Sequence, residues 1–214
     1  MSLAVDPNTP IALGRVLVVG GCGFLGYHVV DQLLGFPSEK FSPPSLTSKQ
    51  SPTQRIRVKP ADLRFPSLKS RYPVYKNTQV HVLDLRCDRN RLPGATYHEA
   101  DISDPESLLR VFRAVKPEVV INTASPLYDA PKPILRKVNI EGTKNLVEVA
   151  AGQRGDWGGK CKAFTHTSSS SVVHDGRSDL IFGNELWPYV RPNPIEYYSE
   201  TKVSCAPFHS ASVN

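Results

Sequence analysis

Residues 15–26 read Arg-Val-Leu-Val-Val-Gly-Gly-Cys-Gly-Phe-Leu-Gly, and this stretch decides the fold. A short run of mostly β-branched residues that ends in glycines predicts a buried strand. Apolar residues then recur at helical spacing from Phe24 to Leu34, and Gly35 is a suitable helix stop. Strand, glycine turn and helix together predict the first half of a βαβ unit.

Gly20, Gly23 and Gly26 match the glycine pattern of dinucleotide-binding turns. Such glycines form a tight turn, admit a pyrophosphate close to the backbone and let the helix pack on the strand. The helix N-terminus adds N–H groups and a positive dipole that bind phosphate. Between a strand and a helix near the N-terminus, the motif favours dinucleotide binding over a purely structural turn.

The rest of the chain alternates between strand and helix patterns. This alternation predicts an α/β fold with a Rossmann-type doubly wound parallel sheet, in one domain over residues 1–214. The predicted strands lie at 80–84, near Tyr97, at 118–121 and at 163–167. The predicted helices cover 104–115 and 134–151, and a last helix starts near 193–196.

Residues 36–79 interrupt this alternation. They hold 7 of the 19 prolines and 7 serines without apolar periodicity, and we interpret them as a disordered insertion. The insertion explains why Asp84, at the end of the second strand, lies 58 residues after Gly26 rather than roughly 20. An acid here would bind the adenosine ribose and favours NAD, although Arg86 and Arg89 leave NADP open. A plain surface carboxylate is the simpler alternative for Asp84.

Composition excludes several classes of protein. Hydrophobic residues make up 40% of the 214, yet no run approaches the roughly 18 apolar residues that cross a bilayer. The N-terminus lacks the basic start and apolar core of a secretion signal, so we expect an intracellular protein.

The charge pattern argues against nucleic-acid binding. The formal net charge is +6, but residues 35–91 alone hold 12 Lys and Arg against 4 Asp and Glu. These residues lack regular aromatic interleaving, so we expect a solvated loop and no nucleic-acid partner. The four cysteines lie far apart and none has zinc-ligand spacing, so we expect reduced thiols and no metal site.

Tyr198 and Lys202 are four residues apart, which places both on one helical face. A phenol has a pKa of about 10 and is a poor base at neutral pH unless a cation stabilises the phenolate. This pair follows a predicted strand and the hydroxyl-rich run 168–171. Tyr-x-x-x-Lys occurs often by chance, but this order of strand, serines and pair predicts a catalytic role.

Seven stretches carry a family resemblance: RVLVVGGCGFLG, VLDLR, ADISD, VVINTASP, VNIEGTKNLVEVA, THTSSSSVV and PIEYYSETK. With them the chain resembles the extended short-chain dehydrogenases/reductases of the 3β-hydroxysteroid dehydrogenase group. Within that group it is most similar to the sterol-4-alpha-carboxylate 3-dehydrogenases. The stretches run in family order from residue 15 to residue 202, apart from the insertion.

The resemblance implies a role for each matching position. The catalytic residues would be Ser169, Tyr198 and Lys202, with Ser170 as the alternative to Ser169. Asn139 would either support the site or be a buried structural amide. The cofactor-binding residues would be Gly20, Gly23, Phe24, Leu25, Gly26, Asp84, Asp101, Ile102, Ala124, Ser125, Tyr198 and Lys202.

The resemblance also implies a reaction. Tyr198, as phenolate, would take the proton of a sterol 3β-hydroxyl while NAD, or alternatively NADP, accepts the hydride. The resulting ketone could lose carbon dioxide from a neighbouring 4-alpha carboxylate. The implied partners are a sterol or steroid substrate and a second copy of the chain. The implied location is the cytoplasm or, by peripheral membrane contact, the cytosolic face of the endoplasmic reticulum.

One departure from the family affects this expectation. Extended members continue beyond the Tyr–Lys helix with a substrate-binding portion, whereas this chain ends 12 residues after Lys202. We therefore expect a truncated or alternatively spliced product, or a faulty gene model, with a sheet that is incomplete at its C-terminal end. Inactivity through truncation stays open. A nucleotide-sugar epimerase or dehydratase of the same fold, or a non-catalytic dinucleotide-binding protein, are the alternatives.

Overall fold

The computed structural model describes residues 11–34, 75–177, 179, 181, 183–184, 186–190 and 196–205. Two predictions fall outside these ranges. They are the insertion up to residue 74 and the helix start at residues 193–195.

The described residues form one sheet of five parallel strands, in the order β3-β2-β1-β4-β5. The predicted doubly wound parallel sheet is confirmed. From the central β1 the chain moves outward to β2 and β3, then returns to the other side for β4 and β5. In such sheets ligands bind at the carboxyl edge, where the order reverses between β1 and β4. The strands are β1 (Gly14–Val19), β2 (Thr78–Asp84), β3 (Thr96–Glu99), β4 (Val119–Asn122) and β5 (Ala163–His166).

The central strand explains the unbroken apolar run of the sequence. Val16, Leu17, Val18 and Val19 are all fully buried, because β1 pairs on both sides and is covered on both faces. A strand buried on both faces carries no polar alternation.

Five α-helices are described, and the third and fourth are parts of one longer helix. Residues Arg136–Gly142 form a π-helical segment that joins α3 to α4 without a break. Within the described residues, none of the helices combines the length and the apolarity needed to cross a bilayer. The helices are α1 (Phe24–Leu34), α2 (Pro105–Val115), α3 (Lys132–Leu135), α4 (Thr143–Ala150) and α5 (Tyr197–Cys205).

Hydrophobic cores lie on both faces of the sheet. One face packs on α2 and α4, where Phe112 and Leu146 are fully buried. Burial of each such side chain contributes about 1.5–3 kcal/mol. The indole of Trp157 closes this core, because its Nε1 donates to the carbonyl of Val149 at 2.6 Å. The other face packs on α1 through Val30 and Leu33.

The residues that flank the undescribed tract lie at the amino edge of the sheet. Leu34 ends α1, and its side chain faces Gly94, just before β3. Tyr75 forms an isolated parallel bridge with Ile11, ahead of β1. Strand β2 begins at Thr78, two residues earlier than expected, because Thr78 pairs with Gly14.

Candidate active site

The turn between β1 and α1 has room for glycine only. Gly20 has a φ of 78°, and a Cβ on it would lie 2.7 Å from the backbone nitrogen of Ala124. A Cβ on Gly26 would overlap the carbonyl oxygen of Gly20 and lie 2.7 Å from Cα of Gly21. The first turn of the helix therefore packs directly on the backbone of the glycine turn.

The start of α1 presents donors that the helix itself does not use. Tyr27 N donates to the carbonyl of Gly23 at 2.9 Å, which closes the first turn. The N–H groups of Phe24, Leu25 and Gly26 lie ahead of this bond, where helical N–H groups have no intrahelical acceptor. The glycine turn that a Cβ would fill, together with these donors, fits the pyrophosphate of a dinucleotide.

Asp84 ends β2 beside the glycine turn. Its Oδ2 accepts from the backbone N–H of Cys22 at 3.0 Å, and its Oδ1 accepts from Leu85 N at 2.8 Å. A carboxylate has about four acceptor positions, so two remain for a ribose. The residue thus holds the turn in place and keeps the capacity for the predicted contact with the cofactor.

A pair of thiols that no sequence pattern predicts lies beside this turn. The buried Cys22 and Cys87 side chains hydrogen-bond to each other, and the Asn90 amide donates to the carbonyl of Cys22 at 2.8 Å. Burial, with smaller contributions from Cys87 and Asp84, raises the pKa of the Cys22 thiol to about 12. The thiol therefore stays protonated and packs as a small apolar group.

Asp101 and Ile102 follow β3 at the same edge of the sheet. Asp101 Oδ1 accepts from the backbone N and the hydroxyl of Ser103 at 2.9 and 2.6 Å, and its Oδ2 pairs with Lys137 Nζ at 3.1 Å. Burial by itself raises the pKa of Asp101, but Ser103 and Lys137 outweigh it and the pKa is lowered. Ile102 is buried against Gly142. Both residues thus lie at the carboxyl edge of the sheet, with the Asp101 side chain bound to protein partners.

Ala124 and Ser125 follow β4 and reach the glycine turn. Thr123 N and Oγ1 both donate to the carbonyl of Val19 at 2.8 Å, which fixes this loop to the end of β1. Ala124 then lies against Gly20. Ser125 is exposed, and its hydroxyl is 3.2 Å from Asn139 Oδ1.

Asn139 connects this loop to the last helix. It lies in the π-helical segment and is only 1% exposed. Its Oδ1 accepts from Ser125, and its Nδ2 donates to Thr201 Oγ1 at 2.9 Å. The Thr201 hydroxyl in turn donates to the carbonyl of Tyr198 at 2.7 Å. The buried amide is therefore structural and also joins two parts of the candidate site.

Tyr198 and Lys202 share one face of α5. Lys202 is 4% exposed, its Nζ donates to the carbonyl of Thr167 at 3.3 Å, and it lies 5.6 Å from the centroid of the Tyr198 ring. Burial lowers the pKa of Lys202. The lysine thus joins the helix to the end of β5 and places a cation against the phenol.

Ser169 begins the short 3-10 turn Ser170–Val172. Its hydroxyl accepts from Ser171 N at 3.2 Å and lies 2.8 Å from Ser171 Oγ. Ser169 is half-buried, two residues after the carbonyl that accepts from Lys202, whereas Ser170 is exposed.

The predicted residues are thus linked by contacts along the carboxyl edge. Contacts run from Gly20 through Ala124 and the next residue, Ser125, to Asn139, and from there through Thr201 to Tyr198. Sequence reasoning missed the role of Thr201, although a hydroxyl inside Tyr-Ser-Glu-Thr-Lys was a usable signal. Among the described residues, no cluster of three or more metal-ligating side chains occurs.

Comparison with known proteins extends this description. A family model described as the NAD dependent epimerase/dehydratase family matches residues 16–207. The match covers most of β1, the glycine turn, the other four described strands and the Tyr–Lys helix.

Two curated relatives are sterol-4-alpha-carboxylate 3-dehydrogenases, both described as decarboxylating. The Candida albicans protein is 28% identical over 194 residues, which is 90% of this chain and 44% of that protein. The Bos taurus protein is 28% identical over 192 residues, which is 88% of this chain and 39% of that protein. The chain therefore spans less than half the length of these relatives.

A solved structure has the same fold. The Thermus thermophilus UDP-glucose 4-epimerase in complex with NAD has a TM-score of 0.61 and 21% identity. The superposition covers 92% of this chain and 50% of the epimerase. At this identity the likeness concerns the fold alone.

Proposed function

The chain belongs to the NAD dependent epimerase/dehydratase family, and we propose that it oxidises the 3β-hydroxyl of a sterol that carries a 4-alpha carboxylate. The single observation that carries the proposal is the contact of Lys202 with both Tyr198 and the end of β5, on the edge that the glycine turn shares. The two sterol dehydrogenase relatives support the substrate class.

NAD would lie across the carboxyl edge of the sheet. Gly20, Gly23 and Gly26, with the N–H groups of Phe24 and Leu25, would bind its pyrophosphate. Asp84 would bind the adenosine ribose, and its negative charge favours NAD over NADP. The adenine would contact Asp101 and Ile102, and the nicotinamide side would contact Ala124 and Ser125. When bound, NAD supplies the acceptor for the hydrogen and two electrons that leave the sterol carbon.

Side chains of the protein carry out the proton transfer. The Tyr198 oxygen takes the proton of the substrate hydroxyl, and the Lys202 ammonium beside its ring favours the charged phenolate. The Ser169 hydroxyl donates a hydrogen bond to the substrate oxygen and stabilises the charge that develops there. Asn139 donates to the Thr201 hydroxyl, which donates to the backbone carbonyl of Tyr198, and these two bonds hold the tyrosine in position.

Decarboxylation needs only the ketone that oxidation leaves. The bond that breaks joins ring carbon 4 to the 4-alpha carboxylate. Carbon dioxide leaves, and the electron pair of that bond moves toward the ketone oxygen, which gives an enolate. A hydrogen bond from Ser169 or from neutral Tyr198 stabilises that oxygen. One pair of residues can therefore serve both steps.

The test is an NADH fluorescence titration followed by oxidation of a 3β-hydroxy-4-alpha-carboxysterol. Tyr198→Phe should weaken NADH binding by no more than about tenfold, the loss of one hydrogen bond. It should lower turnover by about 10²- to 10⁴-fold, since it removes the acid–base group. Tyr197→Phe makes the same chemical change one residue away and should keep turnover. Failure to bind NADH, or equal loss in both variants, would overturn the proposal.

Two other functions predict different outcomes. A nucleotide-sugar epimerase is the alternative that the description of the epimerase/dehydratase family leaves open, and turnover of UDP-glucose without sterol oxidation would identify it. A non-catalytic dinucleotide-binding protein would bind NADH tightly and turn over neither substrate.

The family resemblance carried by residues 15–202 motivates our proposals on location and assembly. We propose an intracellular protein that works in the cytoplasm or by peripheral contact at the cytosolic face of the endoplasmic reticulum, as a homodimer. Membrane fractionation tests the location, and sedimentation equilibrium tests the assembly. A monomer at micromolar concentration would contradict the homodimer.

A further inference from the structure

An exposed apolar surface lies next to the candidate nicotinamide side. Its members are Leu127, Tyr128 and Ile134, whose side chains are 76%, 65% and 45% exposed. They belong to the segment that leads from Ser125 into α3, with a turn closed by Ala130 N donating to the carbonyl of Leu127 at 3.0 Å. Three exposed large apolar residues within residues 127–134 make this segment a candidate binding surface rather than part of a core.

A cation lies within the same segment. Lys132 is the first residue of α3, and its Nζ lies 5.3 Å from the centroid of the Tyr197 ring. Tyr197 directly precedes Tyr198 in α5. The contact therefore places the ammonium at the start of the helix that carries the candidate acid–base residue.

Among the described residues, Lys132 has no ion-pair partner, whereas two other cations of the same helix do. Arg136 pairs with Glu141 at 3.2 Å, and Lys137 pairs with Asp101 at 3.1 Å. Within the part of the chain that the structure describes, no carboxylate lies within 4.0 Å of Lys132 Nζ, and this includes nearby Asp129. The lysine is therefore available to an anionic ligand.

We propose that Lys132 binds the 4-alpha carboxylate of the sterol substrate, while Leu127, Tyr128 and Ile134 contact its apolar ring system. This inference rests on the proposed function. An apolar surface with one unpaired cation matches a large apolar molecule with one negative charge. The carboxylate and the reacting hydroxyl are on adjacent carbons, so the group that binds the first must lie near the phenol that acts on the second. Loss of carbon dioxide removes the anion, and the product then loses this contact.

The experiment measures binding without turnover. Equilibrium dialysis of the NADH-bound chain is performed with a 4-alpha-carboxysterol and with the same sterol lacking the carboxylate. Lys132→Gln should weaken binding of the carboxysterol by about tenfold or more, the loss expected for a hydrogen bond to a charged group. It should change binding of the neutral sterol less than twofold, and Lys132→Arg should keep most of the preference.

Arg136→Gln is the matched control, because this residue lies one turn further on and already has a partner. It should change the affinity for neither sterol, and unchanged NADH binding shows that each variant is folded. If Lys132→Gln keeps the wild-type preference, or weakens both sterols equally, the inference is wrong and the proposed function stands. If the wild-type chain binds NADH but neither sterol, the proposed function fails. Binding of UDP-glucose that Lys132→Gln weakens would assign the cation to a diphosphate and overturn the sterol assignment.

Discussion

The glycine turn and the Tyr–Lys helix lie along one edge of the sheet but are stabilised in different ways. Backbone atoms form the glycine turn, where Gly20 and Gly26 touch other backbone groups so closely that no side chain fits. Side chains position the Tyr–Lys helix instead. The bond between Asn139 and Thr201 joins α5 to the π-helical segment, and Lys202 joins α5 to the residue that follows β5.

The difference teaches where each part of the site can tolerate change. A backbone contact fails with the smallest added side chain, because a neighbouring backbone cannot move aside cheaply. A contact between side chains fails when its polar partner is removed, and the loss is confined to the helix it supports. Substitutions in the two regions should therefore separate cofactor binding from the support of the tyrosine.

The largest effect is expected for Gly26→Ala. The new Cβ would overlap the Gly20 carbonyl, and overpacking costs about 1–3 kcal/mol of the free energy of unfolding. If the free energy of NADH binding becomes less favourable by a similar amount, binding weakens by about 10- to 100-fold. Fluorescence titration and urea unfolding measure both quantities. In Gly23→Ala the Cβ would be 3.1 Å from the same oxygen, so its loss should be smaller, and equal losses would contradict a backbone clash.

Thr201→Val should destabilise the protein without impairing the cofactor turn. The isosteric change removes the acceptor of Asn139 Nδ2, and an unpaired buried amide costs about 1–3 kcal/mol. Urea unfolding should show this loss, while the dissociation constant of NADH changes less than twofold. Thr165→Val, at an exposed position of β5, is the control and should be nearly neutral. Weakened NADH binding in Thr201→Val would show that the two regions are coupled.

Gly26→Ala changes a feature that the sequence predicts, whereas Thr201→Val changes one that it does not. The sheet, its helices and the glycine turn follow from short-range patterns, because strands, helices and tight turns each impose their own periodicity or residue type. The helix over 24–34 and the Asp104 cap of α2 were accessible in this way. The bond between Asn139 and Thr201 joins residues 62 apart, and no local pattern encodes it. The contacts of Lys132 with Tyr197 and of Cys22 with Cys87 could not be predicted for the same reason.

Lys202→Met should change stability by a smaller amount, and it should increase stability rather than lower it. Burial lowers the pKa of Lys202 below its ordinary 10.5, so the folded chain binds fewer protons than the unfolded chain up to that pH. Stability should rise as pH rises toward 10.5. At pH 7 the methionine variant loses the bond from Lys202 Nζ to the Thr167 carbonyl, but it also avoids burying a charge, which costs more than that one bond contributes. It should therefore melt about 2–4 °C higher, which corresponds to about 1 kcal/mol. The gain should shrink by pH 10, and a lower melting temperature at pH 7 would contradict it. Lys144→Met, at an exposed lysine, is the control.

The smallest effect lies away from both regions, in a pair of histidines on β2 and β3. His81 Nδ1 is 3.1 Å from His98 Nε2, and burial lowers the pKa of both rings. Below about pH 6.5 the unfolded chain binds protons that the folded chain does not, so stability should fall as pH falls. The double variant His81→Gln/His98→Gln should flatten the dependence of melting temperature on pH between 7 and 5. A double variant with the same pH dependence as the wild type would contradict the assignment.

The position of Leu34 and Tyr75 has a consequence for protein engineering. Both residues flank the tract between α1 and β2. Both lie at the amino edge of the sheet, opposite the carboxyl edge that carries the glycine turn and Tyr198. Lengthening or shortening a connection there need not move any group that would touch the cofactor. The junction is therefore a natural point for fusing a fluorescent reporter or an affinity handle while coenzyme binding is preserved.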